Sequence, residues 1–321
     1  MIEETKGKVE KKFKNLDEQI DILKHKGMII SDESYAKQIL LRENYFFLNG
    51  YRHLFMEPGD RQFISGTTFE EMYSLFLFDR SFRTIIFKYL LVIENNLKSI
   101  TSYQLSKKYG YRERDYLRAK NFTNAPERQR QVNDLISKMK RQIRVNGSQH
   151  SATLHYVSNY GYIPLWILVK VLSFGIVGEM YSILKSEDQR EIAKVYGIDV
   201  DDFIVYLPIL ANYRNLCAHE DILYENKTQK EIDDTIYHKM LSLKQVDNEY
   251  VQGKNDLFAL IIIMKQMLQA EDFKNMSLEL ENVIQTLDYN LHTIKLEKVL
   301  NRMGFPINWK DLAKIERSID N

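Results

Sequence analysis

The sequence predicts an all-α protein, and three observations lead to this fold class. Only 13 glycines and 5 prolines occur among 321 residues, and so few breakers favour helices over many short strands. Apolar residues make up 44% of the chain and aromatic residues 12%, a composition typical of globular proteins. Between residues 82 and 100, apolar side chains recur at steps of three and four, which is the spacing of one helix face.

The N-terminal elements follow from short-range signals. A thin apolar stripe predicts a helix over residues 16–26, and Asp32 offers an N-cap for a second helix over residues 33–44. The aromatic stretch YFFLNGYRHLF comes next and turns at Gly50, and residues 58–66 read as a loop.

The middle of the chain carries the longest predicted helices. One runs over residues 69–107 and is stopped by Gly110. A second, PLWILVKVLSFGIVGEMYSIL, starts at Pro164, which suits the first turn of a helix. A third begins after Asp199 and contains Pro208, which we expect to kink or restart it.

The last part of the chain, residues 227–321, reads as about three helices. Among them LFALIIIM is the longest apolar block of the sequence. It is far shorter than the roughly 18 apolar residues that indicate a transmembrane helix. We therefore expect a buried helix at this block and no membrane span.

Composition excludes several classes of protein. The 45 Lys and Arg residues nearly balance the 44 Asp and Glu residues, so a wholly basic nucleic-acid-binding coat is excluded. Cys217 is the only cysteine, which excludes an internal disulfide framework and a cysteine metal cluster and suits a reducing cytoplasm. The histidines lack metal-ligand spacing and no Gly-rich phosphate loop occurs, so we expect neither a metal nor a cofactor.

The segment NYRNLCAHEDILYENK holds the most informative residues. Arg214, Asn215 and His219 lie within about a turn and a half of one predicted helix. Helical phase puts Arg214 on the apolar side with Cys217, and it puts Asn215 and His219 on a polar side with Asn212. The segment thus combines a permanent cation, an amide and the one type of side chain that titrates near neutral pH.

These are the groups needed to cut an RNA phosphodiester without a metal. An imidazole takes the proton of a 2′-hydroxyl or gives one to the leaving 5′-oxygen. Arginine stabilises the charge that gathers on the phosphoryl oxygens, and Asn215 would hold His219 or the phosphate. Because one histidine cannot easily be base and acid at the same instant, we expect a homodimer that supplies a second copy.

A structural reading of the same residues stays open at this point. A buried guanidinium needs an acceptor, because an unpaired buried charge is costly. A phosphate is one acceptor, and a carboxylate from a neighbouring helix, such as Glu94, is another. In the second case His219 is an ordinary surface residue. The loose spacing also recurs at Arg144…His150, so spacing alone does not decide between the two readings.

A basic block covers residues 98–144, where 13 Lys and Arg residues stand against 4 Asp and Glu residues. Aromatic residues interleave with these cations, which suits RNA phosphates and exposed bases. We expect YGYRERDYL and the residues after it to contact RNA through four cations, Arg112, Arg114, Arg118 and Lys120. Arg52, in the N-terminal turn, is either a second RNA contact or part of a packed cap.

The segment RNLCAHEDILYENK resembles the Arg-Asn-x-x-Ala-His signature of the abortive-infection proteins of AbiD/AbiF type, which belong to the HEPN superfamily. Other segments resemble that family in the same order along nearly the whole chain: YFFLNGYRHLF, FDRSFRTIIFKYLLVIENNLKS, YGYRERDYL, PLWILVKVLSFG and MGFPINWK. The sequence departs from the pattern at Glu220 and Asp221, where a more neutral or basic context is expected and where carboxylates would repel a phosphate.

The resemblance implies an all-helical HEPN core that dimerises so that two Arg…His motifs meet in a cleft. It implies a metal-independent endoribonuclease that acts as a toxin or antiphage effector and is restrained by an antitoxin, which for AbiF-like members is a small structured RNA. By the motif match, Arg214, Asn215 and His219 carry over as the active site. Glu94 carries over as well, because it falls in the helix that faces the motif.

Three segments are therefore predicted: an N-terminal helical and aromatic cap over residues 1–66, a HEPN core over residues 67–225 and a C-terminal helical extension over residues 226–321. The leading hypothesis is a dimeric RNA endonuclease of the cytoplasm. One alternative is a catalytically silent module that binds a small structured RNA. Another is a helical scaffold in which Arg214 forms a structural salt bridge.

Overall fold

The structure, a computed structural model, describes residues 12–316, and these residues are largely helical. The all-α class predicted from the sequence is confirmed. Within the described range the α-helices are α1 (Leu16–His25), α2 (Glu33–Glu43), α3 (Tyr45–Asn49), α4 (Phe69–Tyr109), α5 (Glu113–Tyr116), α6 (Gln129–Asn146), α7 (Ser151–Tyr160), α8 (Leu165–Val171), α9 (Phe174–Ser182), α10 (Ser186–Ala193), α11 (Val200–Ala218), α12 (Ile236–Met240), α13 (Leu257–Met267), α14 (Ala270–Asn290) and α15 (Leu296–Met303).

Shorter elements connect these helices. The 3₁₀ helices are Gly50–Phe55, Ala119–Asn121, Pro126–Arg128, Lys194–Tyr196 and Trp309–Lys314. One antiparallel hairpin joins β1 (Gln245–Val246) to β2 (Glu249–Tyr250). Its two turn residues, Asp247 and Asn248, have φ values of 51° and 67°, as a two-residue hairpin turn requires. No sequence pattern predicts this hairpin, because strands of two residues are too short to show an alternation of apolar and polar side chains.

The predicted helices of the first hundred residues are confirmed. Asn15 caps α1 in a capping box with Glu18, and the Asp32 side chain accepts the N–H of Tyr35 at the start of α2. The long helix expected over residues 69–107 is α4, which runs from Phe69 to Tyr109.

One prediction about helix continuity was wrong, and a second is narrowed. The stretch PLWILVKVLSFGIVGEMYSIL is two helices, α8 and α9, because Leu172 is extended and the Ser173 side chain accepts the N–H of Ile176 to begin a new helix. Of the two outcomes expected at Pro208, a kink or a restart, the restart does not occur, since α11 runs from Val200 to Ala218 with the proline inside it.

The chain divides into two compact units. Of the described residues, unit 1 holds residues 12–79 and 284–299, and unit 2 holds residues 80–283 and 300–316. Helix α4 contributes to both units, and so does the segment predicted as a C-terminal extension. The three-part division proposed from the sequence stays a prediction.

A buried carboxylate organises unit 1. Glu71, on α4, is 2% exposed, and its Oε1 accepts three consecutive backbone N–H groups, from His292 at 2.8 Å, Thr293 at 2.7 Å and Ile294 at 3.3 Å. An anion surrounded by backbone donors replaces its lost hydration with hydrogen bonds. This single side chain therefore ties residues 292–294 to the start of α4.

The core of unit 2 is built around two apolar helices. All but one residue of α13 is buried, as the LFALIIIM block predicted. Helix α11 packs on α9, where Gly178 allows close approach, because a Cβ at that position would lie 3.4 Å from the Cβ of Leu207. The Asp256 side chain caps α13 and accepts the N–H groups of Gly253 and Ala259.

Candidate functional site

Helix α11 presents the motif in the predicted phase. Leu210, Tyr213 and Cys217 are buried, while Asn215 and His219 are exposed and Arg214 lies between these extremes. The Cys217 thiol forms no disulfide, and its burial fits its predicted place on the apolar side of the helix. The apolar face thus fixes the helix in unit 2, and the polar face remains open.

Arg214 pairs with Glu94, as one of the two readings of the sequence proposed. The guanidinium Nε donates to Glu94 Oε2 at 3.1 Å, and Lys98 Nζ donates to the other carboxylate oxygen at 2.7 Å. The side chains of Glu94 and Lys98 are only 5% and 10% exposed. A buried carboxylate shared by two cations holds both of them in place, because breaking such a cluster leaves an uncompensated charge.

The rest of the Arg214 side chain remains available. It is 32% exposed, and its guanidinium carbon lies 5.7 Å from the centre of the Phe87 ring. Its Nη1 and Nη2 atoms make no hydrogen bond within residues 12–316. Glu94 and Phe87 therefore orient the guanidinium, while its two terminal nitrogens keep their capacity to donate to another anion.

His219 lies at the carboxyl end of α11, where the backbone turns sharply. Its N–H donates to Asn215 O at 3.0 Å, and the Asp221 N–H donates to Leu216 O at 3.2 Å. Glu220, between them, has a φ of 58°, so the helix ends in a Schellman-type turn. In the part of the chain that the structure describes, neither the His219 ring nor the Asn215 side chain has a hydrogen-bond partner.

Helix α4 also fixes the turn that follows His219. Arg83 is 4% exposed, and its Nη1 donates to the Asp221 carbonyl oxygen at 2.8 Å. The same helix supplies Glu94 to Arg214. Two residues of α4 thus set the positions of the arginine and of the turn that carries the histidine.

Sequence reasoning missed both Lys98 and Arg83 as parts of this site. Lys98 follows Glu94 by four residues, and this helical spacing of opposite charges could have identified it. The sequence could not indicate the role of Arg83, because this side chain donates to a backbone carbonyl 138 residues away. Every residue carries such a carbonyl, so no residue type marks the partner.

The basic block contains aromatic residues with different roles. Tyr116 is buried and its hydroxyl donates to Ile163 O at 2.8 Å, and Phe122 is buried too. The Tyr109 hydroxyl donates to Asp188 Oδ2 at 2.6 Å, and burial, followed by this hydrogen bond, raises the pKa of Tyr109 to about 12. Tyr111, by contrast, is 39% exposed. Only part of the aromatic content of the block is therefore open to bases.

The structure brings three of the predicted RNA-binding arginines onto one short segment. Arg112 is the N-cap residue of α5, and Arg114 is exposed within it. Arg118 is also exposed and donates to Arg114 O and to Asp115. Lys120 is exposed in the 3₁₀ helix that follows.

Arg52 belongs to unit 1 and has neighbours of its own. It lies in the 3₁₀ helix Gly50–Phe55 and donates to Asn49 O at 2.6 Å. Burial lowers the pKa of Lys26, and the charges of Arg52 and Arg61 lower it further. Arg52 is therefore part of a small group of cations, in addition to its role in the local turn.

Two further classes of feature bear on the sequence predictions. Among residues 12–316, no three His, Cys, Asp or Glu side chains are grouped as metal ligands. A search of the same residues finds no helix whose length and apolar character would let it cross a membrane.

Comparison with known proteins places this chain within a family. The family model described as Abi-like protein matches residues 38–225, which is more than half of the chain. The match includes α4 with Glu94 and the whole of α11 with Arg214, Asn215 and His219. No curated protein and no solved structure matches the chain significantly. The chain belongs to the Abi-like protein family, whose members are associated with abortive infection, a form of phage defence.

Proposed function

We propose that the chain is a metal-independent endoribonuclease of HEPN type that acts as a toxin or antiphage effector. Its active site would consist of Arg214, Asn215 and His219, with Glu94 as the residue that positions Arg214. Two copies of this site would meet at a homodimer interface, and a small structured RNA would act as the antitoxin that restrains the enzyme. The family membership supports the defence role, and the geometry on α11 supports the chemistry.

One observation carries the proposal more than any other. Glu94 engages only the Nε of Arg214, and the terminal nitrogens of this arginine have no partner in residues 12–316. An arginine with a purely structural role is expected to use its terminal nitrogens as well, because they form the bidentate pair with a carboxylate. Here they are left to bind phosphoryl oxygens beside the exposed His219.

The chemistry then follows from the positions of these groups. The Arg214 nitrogens would stabilise the negative charge that develops on the phosphoryl oxygens. The His219 imidazole would take the 2′-hydroxyl proton, and the His219 of a second subunit would protonate the leaving 5′-oxygen. The Asn215 side chain, exposed and one turn before His219, would donate to the phosphate or to the imidazole.

His219→Ala should lower the rate of RNA cleavage by about 100-fold or more, because general acid–base catalysis contributes about 10²–10⁴-fold. The measurement is cleavage of a labelled RNA by purified full-length protein, together with growth of cells that express each variant. His25→Ala is the matched control, because His25 is also an exposed histidine at the end of a helix.

The outcome separates the nuclease from its alternatives. If His219→Ala cleaves RNA and arrests growth as well as the parent, the nuclease assignment is wrong. Cleavage should also persist in excess EDTA, since no step of the proposed chemistry uses a metal ion. A loss of activity in EDTA that Mg²⁺ restores would contradict the metal-independent mechanism.

A catalytically silent RNA-binding module is the second candidate. It is favoured by the exposed cations Arg114, Arg118 and Lys120, which can hold phosphates without any cleavage. In that case Arg214→Lys, which keeps the charge, would preserve RNA affinity, and the parent itself would show no cleavage. The nuclease proposal expects Arg214→Lys to abolish cleavage, because lysine cannot donate from two terminal nitrogens at once.

A further inference from the structure

A cluster of aromatic side chains lies open on unit 2, away from the Arg214–His219 motif in sequence. It comprises five rings, called here the aromatic cluster: Tyr111, Tyr156, Tyr160, Tyr162 and Trp166. Neighbouring rings in the cluster contact each other, as the distances between their ring centres show. The ring centre of Tyr111 lies 5.7 Å from those of Trp166 and Tyr162. The centres of Tyr162 and Tyr160 are 6.3 Å apart, and those of Tyr160 and Tyr156 are 5.3 Å apart. The rings therefore form a continuous row that begins before α5 and extends over α7 and α8.

These rings are not core residues. Tyr160 is 57% exposed, Trp166 is 43% exposed and Tyr111 is 39% exposed. In contrast, the fully buried tyrosines of the same unit, such as Tyr181 and Tyr206, have no exposed surface. Several large rings that contact one another at the surface form an apolar patch of the kind that marks a binding site.

Cations flank the aromatic cluster. The Arg112 guanidinium lies over the rings of Tyr111 and Tyr162, at 5.8 Å and 5.0 Å from their centres. A groove of about 510 Å³ adjoins the row at Gly161, the residue between Tyr160 and Tyr162, and it is lined by Arg114 and Lys140. Glu113 lines the same groove, but its carboxylate already accepts the N–H of Ile163.

We propose that the aromatic cluster stacks the unpaired bases of single-stranded RNA, while Arg114 and Lys140 hold the phosphates in the adjoining groove. Bases present flat π-faces to aromatic rings only when they are unpaired and unstacked, and the backbone then needs cations alongside. This inference rests on the proposed function only in taking RNA as the ligand. It does not depend on cleavage, and it names the class of RNA, since a continuous duplex offers no free base faces.

The test measures RNA affinity in the full-length chain that carries His219→Ala, so that cleavage cannot interfere. Fluorescence anisotropy is recorded with an unstructured 12-nucleotide RNA and with a duplex of the same length. Trp166→Ala and Tyr160→Ala should each weaken binding of the single strand by about 5-fold to 100-fold, which is the range for loss of one stacked base, and should change duplex binding little. Tyr103→Ala is the matched control, because Tyr103 is 64% exposed in the same unit but lies outside the cluster.

The salt dependence separates stacking from phosphate contacts. Trp166→Ala should leave the slope of log affinity against log salt concentration unchanged, because no ion pair is lost. Arg114→Ala with Lys140→Ala should reduce that slope by about one for each phosphate contact removed. A slope that falls equally in both sets of variants would contradict the division of roles.

Tryptophan fluorescence gives a direct readout of stacking. Trp166 and Trp309 are the only tryptophans, and Trp309 is buried, so acrylamide quenching reports chiefly on Trp166. Binding of single-stranded RNA should quench this emission and protect it from acrylamide. RNA binding that leaves Trp166 as accessible as before would overturn the proposal.

The remaining outcomes are also decisive. If the single strand binds equally well to Trp166→Ala, Tyr160→Ala and the parent, the aromatic cluster is not an RNA site. If these variants instead lose self-association, the cluster is a protein interface. If RNA is never cleaved but binding depends on Trp166, the nuclease proposal fails and the stacking proposal stands.

Discussion

At the scale of single residues, Asp256 combines burial with a structural role. It caps α13 and is 5% exposed. Burial raises the pKa of its carboxyl from the usual 3.8 to about 6, although the N–H groups of Gly253 and Ala259 partly oppose this rise. Gly304 contributes to the burial, because a Cβ there would lie only 2.1 Å from the carboxylate carbon.

Asp256→Asn should reveal this burial as a pH-dependent gain in stability. The folded state holds the proton more tightly than the unfolded state, so the contribution of the protonated carboxyl is lost as pH rises from about 4 to about 6. Asparagine keeps the cap without a charge. The free energy of unfolding of the variant, relative to the parent, should therefore increase from pH 4 to pH 6 and then level off.

Urea unfolding at several pH values measures this difference. Asp32→Asn provides a matched control, because Asp32 is an exposed N-cap that bonds the backbone in the same way. A difference between Asp256→Asn and the parent that stays constant from pH 4 to pH 7 would contradict the role of burial.

At the scale of elements, the end of α11 carries a strained residue beside the motif. Glu220 adopts a φ of 58°, in the left-handed region that disfavours side chains other than glycine. Glu220→Gly should relieve this strain and raise the free energy of unfolding by up to about 1 kcal/mol. Glu220→Ala is the matched control, because it removes the charge but keeps a Cβ in the same conformation.

Chemical denaturation of the parent, Glu220→Gly and Glu220→Ala measures the free energy of unfolding of each protein. The glycine variant should be more stable than the alanine variant, and the reverse order would contradict the assigned strain. Both variants remove a carboxylate next to His219, so under the nuclease proposal both should bind RNA more tightly than the parent by similar factors.

The elements also show where sequence reasoning succeeds and fails. Helix α4 was predicted nearly to its ends, because its apolar residues repeat regularly over many turns. The break between α8 and α9 was not predicted, because apolar residues continue through it. Only the Ser173 side chain, which caps the start of α9, marks the new helix.

The site shows the same division between local and distant signals. Residue chemistry and family likeness together proposed Glu94 as the partner of Arg214, and the structure contains that ion pair. The contacts of Arg83 with Asp221 and of Glu71 with residues 292–294 involve backbone atoms. Such atoms are alike in every residue, so no sequence pattern could indicate these partners.

At the scale of the whole molecule, the proposed active site requires two chains. The structure describes one motif per chain, with one His219, and the proposed chemistry uses a base and an acid together. We therefore expect specific RNase activity to rise with protein concentration in step with the dimer fraction. Analytical ultracentrifugation and cleavage assays over the same concentrations provide the comparison.

His219→Ala serves again as a control, because it should dimerise like the parent and stay inactive. Full specific activity at concentrations where the protein is monomeric would show that one chain is sufficient. The composite site would then be wrong, although a nuclease within a single chain would remain.

The interleaved chain order of the two units has a consequence during protein synthesis. Residues 12–79 leave the ribosome before residues 80–283 of unit 2, but the segment that completes unit 1, residues 284–299, emerges only after them. The N–H groups that Glu71 needs are made 221 to 223 residues after it. Translation that stops before residue 284 therefore releases a polypeptide in which the Arg214–His219 motif is present but unit 1 cannot close.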